Sequence, residues 1–118
     1  MNKRTAKALE KSIEHHKQNL LAETPDDVRL GADFCALCNL FNKYDRPINN
    51  TDCIGCPVHK KTGEKYCGGT PYEESRRAFI SWYNYYECYE CTGKHSQYRR
   101  KFRAAEKKEI KFLESLRE

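Results

Sequence analysis

Residues 35–67 read CALCNLFNKYDRPINNTDCIGCPVHKKTGEKYC, and this stretch holds five of the chain's seven cysteines. Two pairs are spaced C-x-x-C, Cys35/Cys38 and Cys53/Cys56, with 14 residues between them. A C-x-x-C turn brings two sulfurs to neighbouring vertices of a tetrahedron, and two such turns complete a four-thiolate zinc site. Gly55 inside the second turn and Pro57 after it fit a zinc knuckle. The fifth thiol, Cys67, keeps the ligand set open. Zinc takes four ligands, so Cys67 is either spare or displaces Cys53, leaving Cys56 and Cys67 to flank the loop PVHKKTGEKY. His59, three residues after Cys56, is a further candidate ligand. Disulfides or an iron–sulfur cluster are the other uses for such thiols, but the close C-x₂-C-x₂-C run common in [4Fe–4S] sites is missing. The metal expected here is Zn2+, with candidate ligands Cys35, Cys38, Cys53, Cys56 and Cys67.

The same stretch explains why a metal is needed. Residues 31–69 contain five of the six glycines and two of the four prolines, with apolar residues too scattered for a core. The chain has 118 residues, 38% of them hydrophobic and 33% charged, which is lean for a domain that must bury much of its surface. Structural zinc in small peptides contributes about 10–16 kcal/mol of apparent binding energy, enough to dominate such a region.

Outside the insert the sequence reads as helices. Ala6, Leu9, Ile13, His16 and Leu20 mark one stripe of a helix over about 3–22, ended by Thr24-Pro25. Thr70, Pro71 and Glu73 form a capping-box start for a second helix over about 71–91, with Gly93 as its stop. A third runs over about 96–116 on Tyr98, Phe102, Ala105, Phe112, Leu113 and Leu116. The expected fold is mostly α: a single domain, 1–118, of three helices around a zinc-stapled insert, 31–69, irregular or with a short hairpin.

No apolar run approaches the ~20 residues needed to span a bilayer. With no secretory signal in view, a reducing cytoplasm is the expected compartment, where clustered cysteines more often bind metal than pair. Residues 1–93 carry 13 Lys/Arg and 13 Asp/Glu, whereas residues 94–118 carry 9 and 4, which supplies the whole net charge of +5. The tail helix, with Arg99, Arg100, Lys101, Arg103, Lys107 and Lys108, is therefore a candidate phosphate-contacting or partner-binding face. Trp82, Tyr85 and Tyr89 on the aromatic helix are candidate stacking or interface residues. Cys88 and Cys91 read as buried helical thiols, or with His95 as a second metal site. His15 and His16 read as packed or surface side chains, and Glu106 and Glu109 as partial compensation for the basic face.

The segments CALCNLF, CIGCPVHKKTGEKYCGGTPY and AAEKKEIKFLESL, after an opening LEKSIEHH, resemble a group of small cysteine-rich bacteriophage proteins. The resemblance covers most of residues 8–116. It implies a zinc-binding accessory protein in the cytoplasm of a bacterial host, and it carries no catalytic residue across. Cys88, Cys91 and the additional tyrosines depart from that pattern. The expected function is thus binding rather than catalysis, with a host protein as the expected partner. Non-specific nucleic-acid binding is the alternative, and a metal-dependent nuclease using His59 as base is a third reading. The oligomeric state is open.

Overall fold

The computed structural model describes residues 1–31, 34–41, 53–64 and 66–118. They form five helices and no strand: α1 (Lys3–Asn19), α2 (Ala36–Phe41), α3 (Pro57–Thr62), α4 (Pro71–Tyr86) and α5 (His95–Glu114), with a 3₁₀ turn at Pro25–Asp27. None is long and apolar enough to cross a membrane. The mostly α class holds, with the three long helices near their expected places and two short ones inside the insert. Any hairpin across residues 42–52 lies outside the described residues.

Helix ends follow from local chemistry. The Asn2 side chain caps α1 by accepting from the Thr5 N–H at 2.8 Å. The helix stops at Asn19, earlier than Thr24-Pro25 alone requires. There the Asn19 amide exchanges two hydrogen bonds with the Arg29 backbone, both 3.0 Å, and folds residues 25–29 back alongside α1. Arg99 of α5 donates to the Ala22 carbonyl at 2.9 Å, which satisfies the turn beyond α1. Thr70 caps α4 through Tyr72 N–H, with Pro71 at the first helical position as the sequence predicts. That helix ends at Tyr86, before Cys88 and Gly93.

Two apolar clusters form the interior. One joins α4 to α5 and the returning turn through Trp82, Phe102, Ala22 and Val28. The other joins α1 and α5 to the insert through Leu9, Ile13, Ile110 and Leu113, with Leu37 of α2, Cys56, and Val58 of α3. This corrects the expectation that the insert has no apolar core: Leu37 and Val58 are buried against the long helices. Scattered residues suffice because each short helix needs only one or two anchors on a face that α1 and α5 already present.

Trp82 is 0% exposed and cannot meet a partner, so its predicted contact role is corrected to core packing. Its indole N–H donates to His95 Nδ1 at 3.2 Å. Leu37→Ala is expected to lower the unfolding free energy by about 2–5 kcal/mol, the range for a buried leucine. Urea unfolding checks this, and unchanged stability would show that the insert hangs outside the cooperative core.

Candidate metal centre

All five thiols of the insert line one cavity of about 200 Å³, with Ser12, His16, Tyr72 and Glu109 on its helical walls. Cys35 stands just before α2, and its carbonyl accepts from Asn39 N–H at 2.9 Å, setting Cys38 one turn along. Cys53 and Cys56 bracket a tight turn closed by Cys56 N–H to Cys53 O at 3.0 Å. Gly55 within it has φ of 92°, and a Cβ there would meet the Phe41 ring at 3.0 Å, so only glycine fits. Cys56 then leads into Pro57 and α3. Cys67 follows in the turn before α4.

The backbone around these thiols is strained. Among the described residues, the non-glycine positions with positive φ are Cys53 (68°), Tyr66 (59°) and Cys67 (62°). Each costs on the order of 1–3 kcal/mol, and such outliers gather where function dictates the geometry. Tyr66 N–H donates to Cys53 Sγ at 3.3 Å, which ties the turn before α4 to the second C-x-x-C pair.

The electrostatics of the cavity concentrate negative charge on Cys35. Cys35 is pulled down to about 5, chiefly because the Cys38 thiol donates to it, with further help from Ser12 and the Leu37 and Cys38 N–H groups. Ser12 Oγ lies 3.5 Å from Cys35 Sγ. Cys38 is pushed up by that same shared proton and by burial. Burial likewise pushes up Cys56 and Cys67. Among the described residues no three His, Cys, Asp or Glu side chains stand in an arrangement that would already hold a metal ion. Five cysteines on one cavity, knuckle-like turns and an N–H···S bond nonetheless fit a thiophilic dication, which would replace the protons on the ligating thiols. His59 lines the same cavity, but its Nδ1 lies 3.0 Å from the Glu64 carbonyl oxygen, which leaves Nε2 as its available nitrogen.

Cys88 and Cys91 take no part. They lie beyond α4 and form a disulfide with each other, which corrects both the buried-helix and the second-metal readings. His95 is held instead by Trp82 and the Glu23 carbonyl. The predicted contact residues are dispersed. Tyr85 stacks on Tyr98 with centroids 4.7 Å apart, Tyr89 is fully exposed, Arg99 is engaged with Ala22, and Lys108 pairs with Glu74.

A polar group beside the cavity was not foreseen. Glu106 and Glu109 are 0% and 2% exposed, not surface charges. His16 Nδ1 meets Glu106 Oε2 at 2.8 Å, and Asn19 donates to the same oxygen at 3.3 Å. Among the described residues, Glu106 Oε1 and Glu109 Oε2 have no hydrogen-bond partner. The signal was present in the helical register, because Glu106 and Glu109 share a side of α5 with Phe102 and Leu113.

Burial lowers the His16 pKa, but the Glu106 hydrogen bond and charge outweigh it and hold it above its usual value. Burial raises Glu109 from 4.5 to about 7, with Glu106 adding repulsion and His16 opposing. Both groups bind protons more tightly when folded. Their contribution to stability is therefore complete below the unfolded pKa and is lost as pH rises through the folded one, between about 4.5 and 7 for Glu109. Urea unfolding at pH 5 and pH 8 is expected to show the decline in the native protein and a smaller decline in Glu109→Gln. Any thiol contribution is common to both proteins, so equal declines would place the effect elsewhere.

Comparison with known proteins finds no matching family model, no matching curated protein and no matching solved structure.

Proposed function

We propose that this chain is a non-enzymatic, zinc-binding accessory protein of a bacteriophage that works in the host cytoplasm by gripping a host protein. The observation that carries the reading is the gathering of five thiols onto one cavity by three separate segments, at the cost of left-handed backbone at Cys53 and Cys67. Zinc would cross-link those segments through their sulfurs. Four of Cys35, Cys38, Cys53, Cys56 and Cys67 hold it, and a closed thiolate shell suits a structural ion. The chain's own contribution is to place these sulfurs and to shield them behind Leu37, Phe41 and Leu113.

The exposed aromatic face of α4 supports a partner surface there. With Trp82 turned inward, Ile80, Tyr83 and Tyr86 remain exposed on that helix, and Tyr89 projects just beyond it. Exposed tyrosines flanked by Arg76 suit a protein interface, where Tyr and Arg carry much of the binding energy.

Purified protein is expected to hold one zinc ion per chain by elemental analysis. Cys38→Ser is expected to abolish retention, whereas Cys88→Ser leaves the stoichiometry unchanged. Equal loss from both would mean that the thiols are partitioned wrongly, and metal-free native protein would remove the zinc reading. For the partner, the protein captured from host lysate by the native chain is expected to be lost by the doubly substituted Tyr83→Ala, Tyr86→Ala chain, with zinc content intact. Identical capture by both would take the interface off α4.

A further inference from the structure

The sequence assigns α5 a basic excess partly cancelled by its own acids, and the fold removes that cancellation. Residues 94–118 contain four acidic side chains. Glu106 and Glu109 are buried in the interior. Glu114 is engaged with Arg117, and Glu118 with the Met1 amino group. The outward side of α5 is left with a large excess of cations, its one partly exposed acid being Glu114 at the C-terminal end, beside Arg117.

Those cations also sort by how they are used. Arg99 is committed to the Ala22 carbonyl, Lys108 to Glu74, and Lys101 lies 6.0 Å from the Tyr98 ring centre. Arg100, Lys107 and Lys111 are exposed and enter no ion pair with a described residue. Their spacing of i, i+7 and i+11 sets them in one row along the helix. The row is about 16 Å long at 1.5 Å per residue. Beside it, a groove between α4 and α5 is lined by the small residues Ala78, Ser81 and Ala104 together with Arg77, Lys101, Tyr98 and Glu74, the last engaged with Lys108. A row of like charges with no internal counter-ions repels itself, and a regularly charged polyanion relieves that repulsion while releasing its own condensed ions.

We propose that the Arg100–Lys107–Lys111 row is a docking surface for the phosphate backbone of a nucleic acid, bound without regard to base sequence. The surface is distinct from the tyrosine face of α4, and it stands whether or not a protein partner binds there. Arginine contributes bidentate phosphate contacts and the lysines contribute point charges.

The test is fluorescence anisotropy of the full-length protein with labelled 20-nucleotide DNA, as a duplex and as a single strand, from 50 to 200 mM salt. The log of the affinity is expected to fall with the log of salt at a slope of about −0.9 per neutralised phosphate for the duplex and about −0.7 for the single strand. Three row contacts alone then weaken duplex binding about forty-fold across that range. The triple variant Arg100→Ala, Lys107→Ala, Lys111→Ala is expected to bind at least tenfold more weakly at 50 mM salt, with a slope shallower by about 2 to 3. Lys3→Ala, Lys7→Ala, Lys11→Ala on α1 removes the same net charge and is expected to leave the slope within about one of the native value. All substituted residues are exposed, and circular dichroism confirms that both variants keep their helices. No binding at 50 mM salt overturns the proposal, as does equal weakening by the two triple variants. So does displacement of the DNA by polyglutamate at equal charge, which would reassign the row to an acidic polypeptide.

Discussion

The contact on which the arrangement depends is the buried meeting of α1 and α5 at His16 and Glu106. A small chain with modest apolar content cannot line both helices with hydrocarbon, and here it closes the gap with a 2.8 Å ion pair braced by Asn19. Such a pair adds little net stability over well-packed apolar side chains, but leaving one member alone in the interior is costly. Its consequence is register. His16 and Asn19 are one turn apart on α1, and Asn19 also brackets the Arg29 backbone. One polar cluster therefore sets how α1 lies on α5 and where the chain re-enters toward α2. Ser12, one turn before His16, holds the α2 segment in turn: its Oγ accepts from Leu37 N–H at 3.3 Å and lies 3.5 Å from Cys35 Sγ.

This explains how a glycine-rich segment can carry a chemically demanding site. The thiols are placed by elements that are already anchored: Leu37 and Val58 seat α2 and α3 on the long helices, and Phe41 packs on Gly55. The strain at Cys53, Tyr66 and Cys67 is then local, held by surroundings that leave those turns little alternative. A dication bound to the sulfurs would tighten a site that the apolar contacts have roughly assembled, rather than build it from a disordered chain.

What could be read from the sequence divides along the same line. Signals carried within a few residues were legible: the Thr70-Pro71 start of α4, the helical stripe through Leu9 and Ile13, and the paired cysteines. Signals that depend on the neighbour were not. Trp82 is indistinguishable from its exposed tyrosine neighbours until α5 covers it with Phe102. Glu106 and Glu109 look like ordinary surface acids among lysines, and only the position of α1 makes them interior groups. Cys88 and Cys91 depend on where α4 stops, which Tyr85 helps to decide by accepting from Lys94 N–H at 2.7 Å. The two short helices escaped notice because six residues are too few to display a period.

The two chemistries around the cavity make opposite demands on protons. Thiolate ligation of a metal is favoured as pH rises, since each protonated thiol must lose its proton to bind. The carboxyl and imidazole wall is favoured as pH falls, because Glu109 and His16 both hold protons more tightly in the folded chain. Cys35 contributes to the elevation of both groups, so negative charge on sulfur already strengthens their hold on protons. Four thiolates carry more negative charge than one dication can cancel, so a metal-loaded site would remain negative beside that wall. That coupling follows from sharing a cavity between α1, α5 and the insert. It would vanish if the sulfurs and carboxylates stood on separate faces of the same helices.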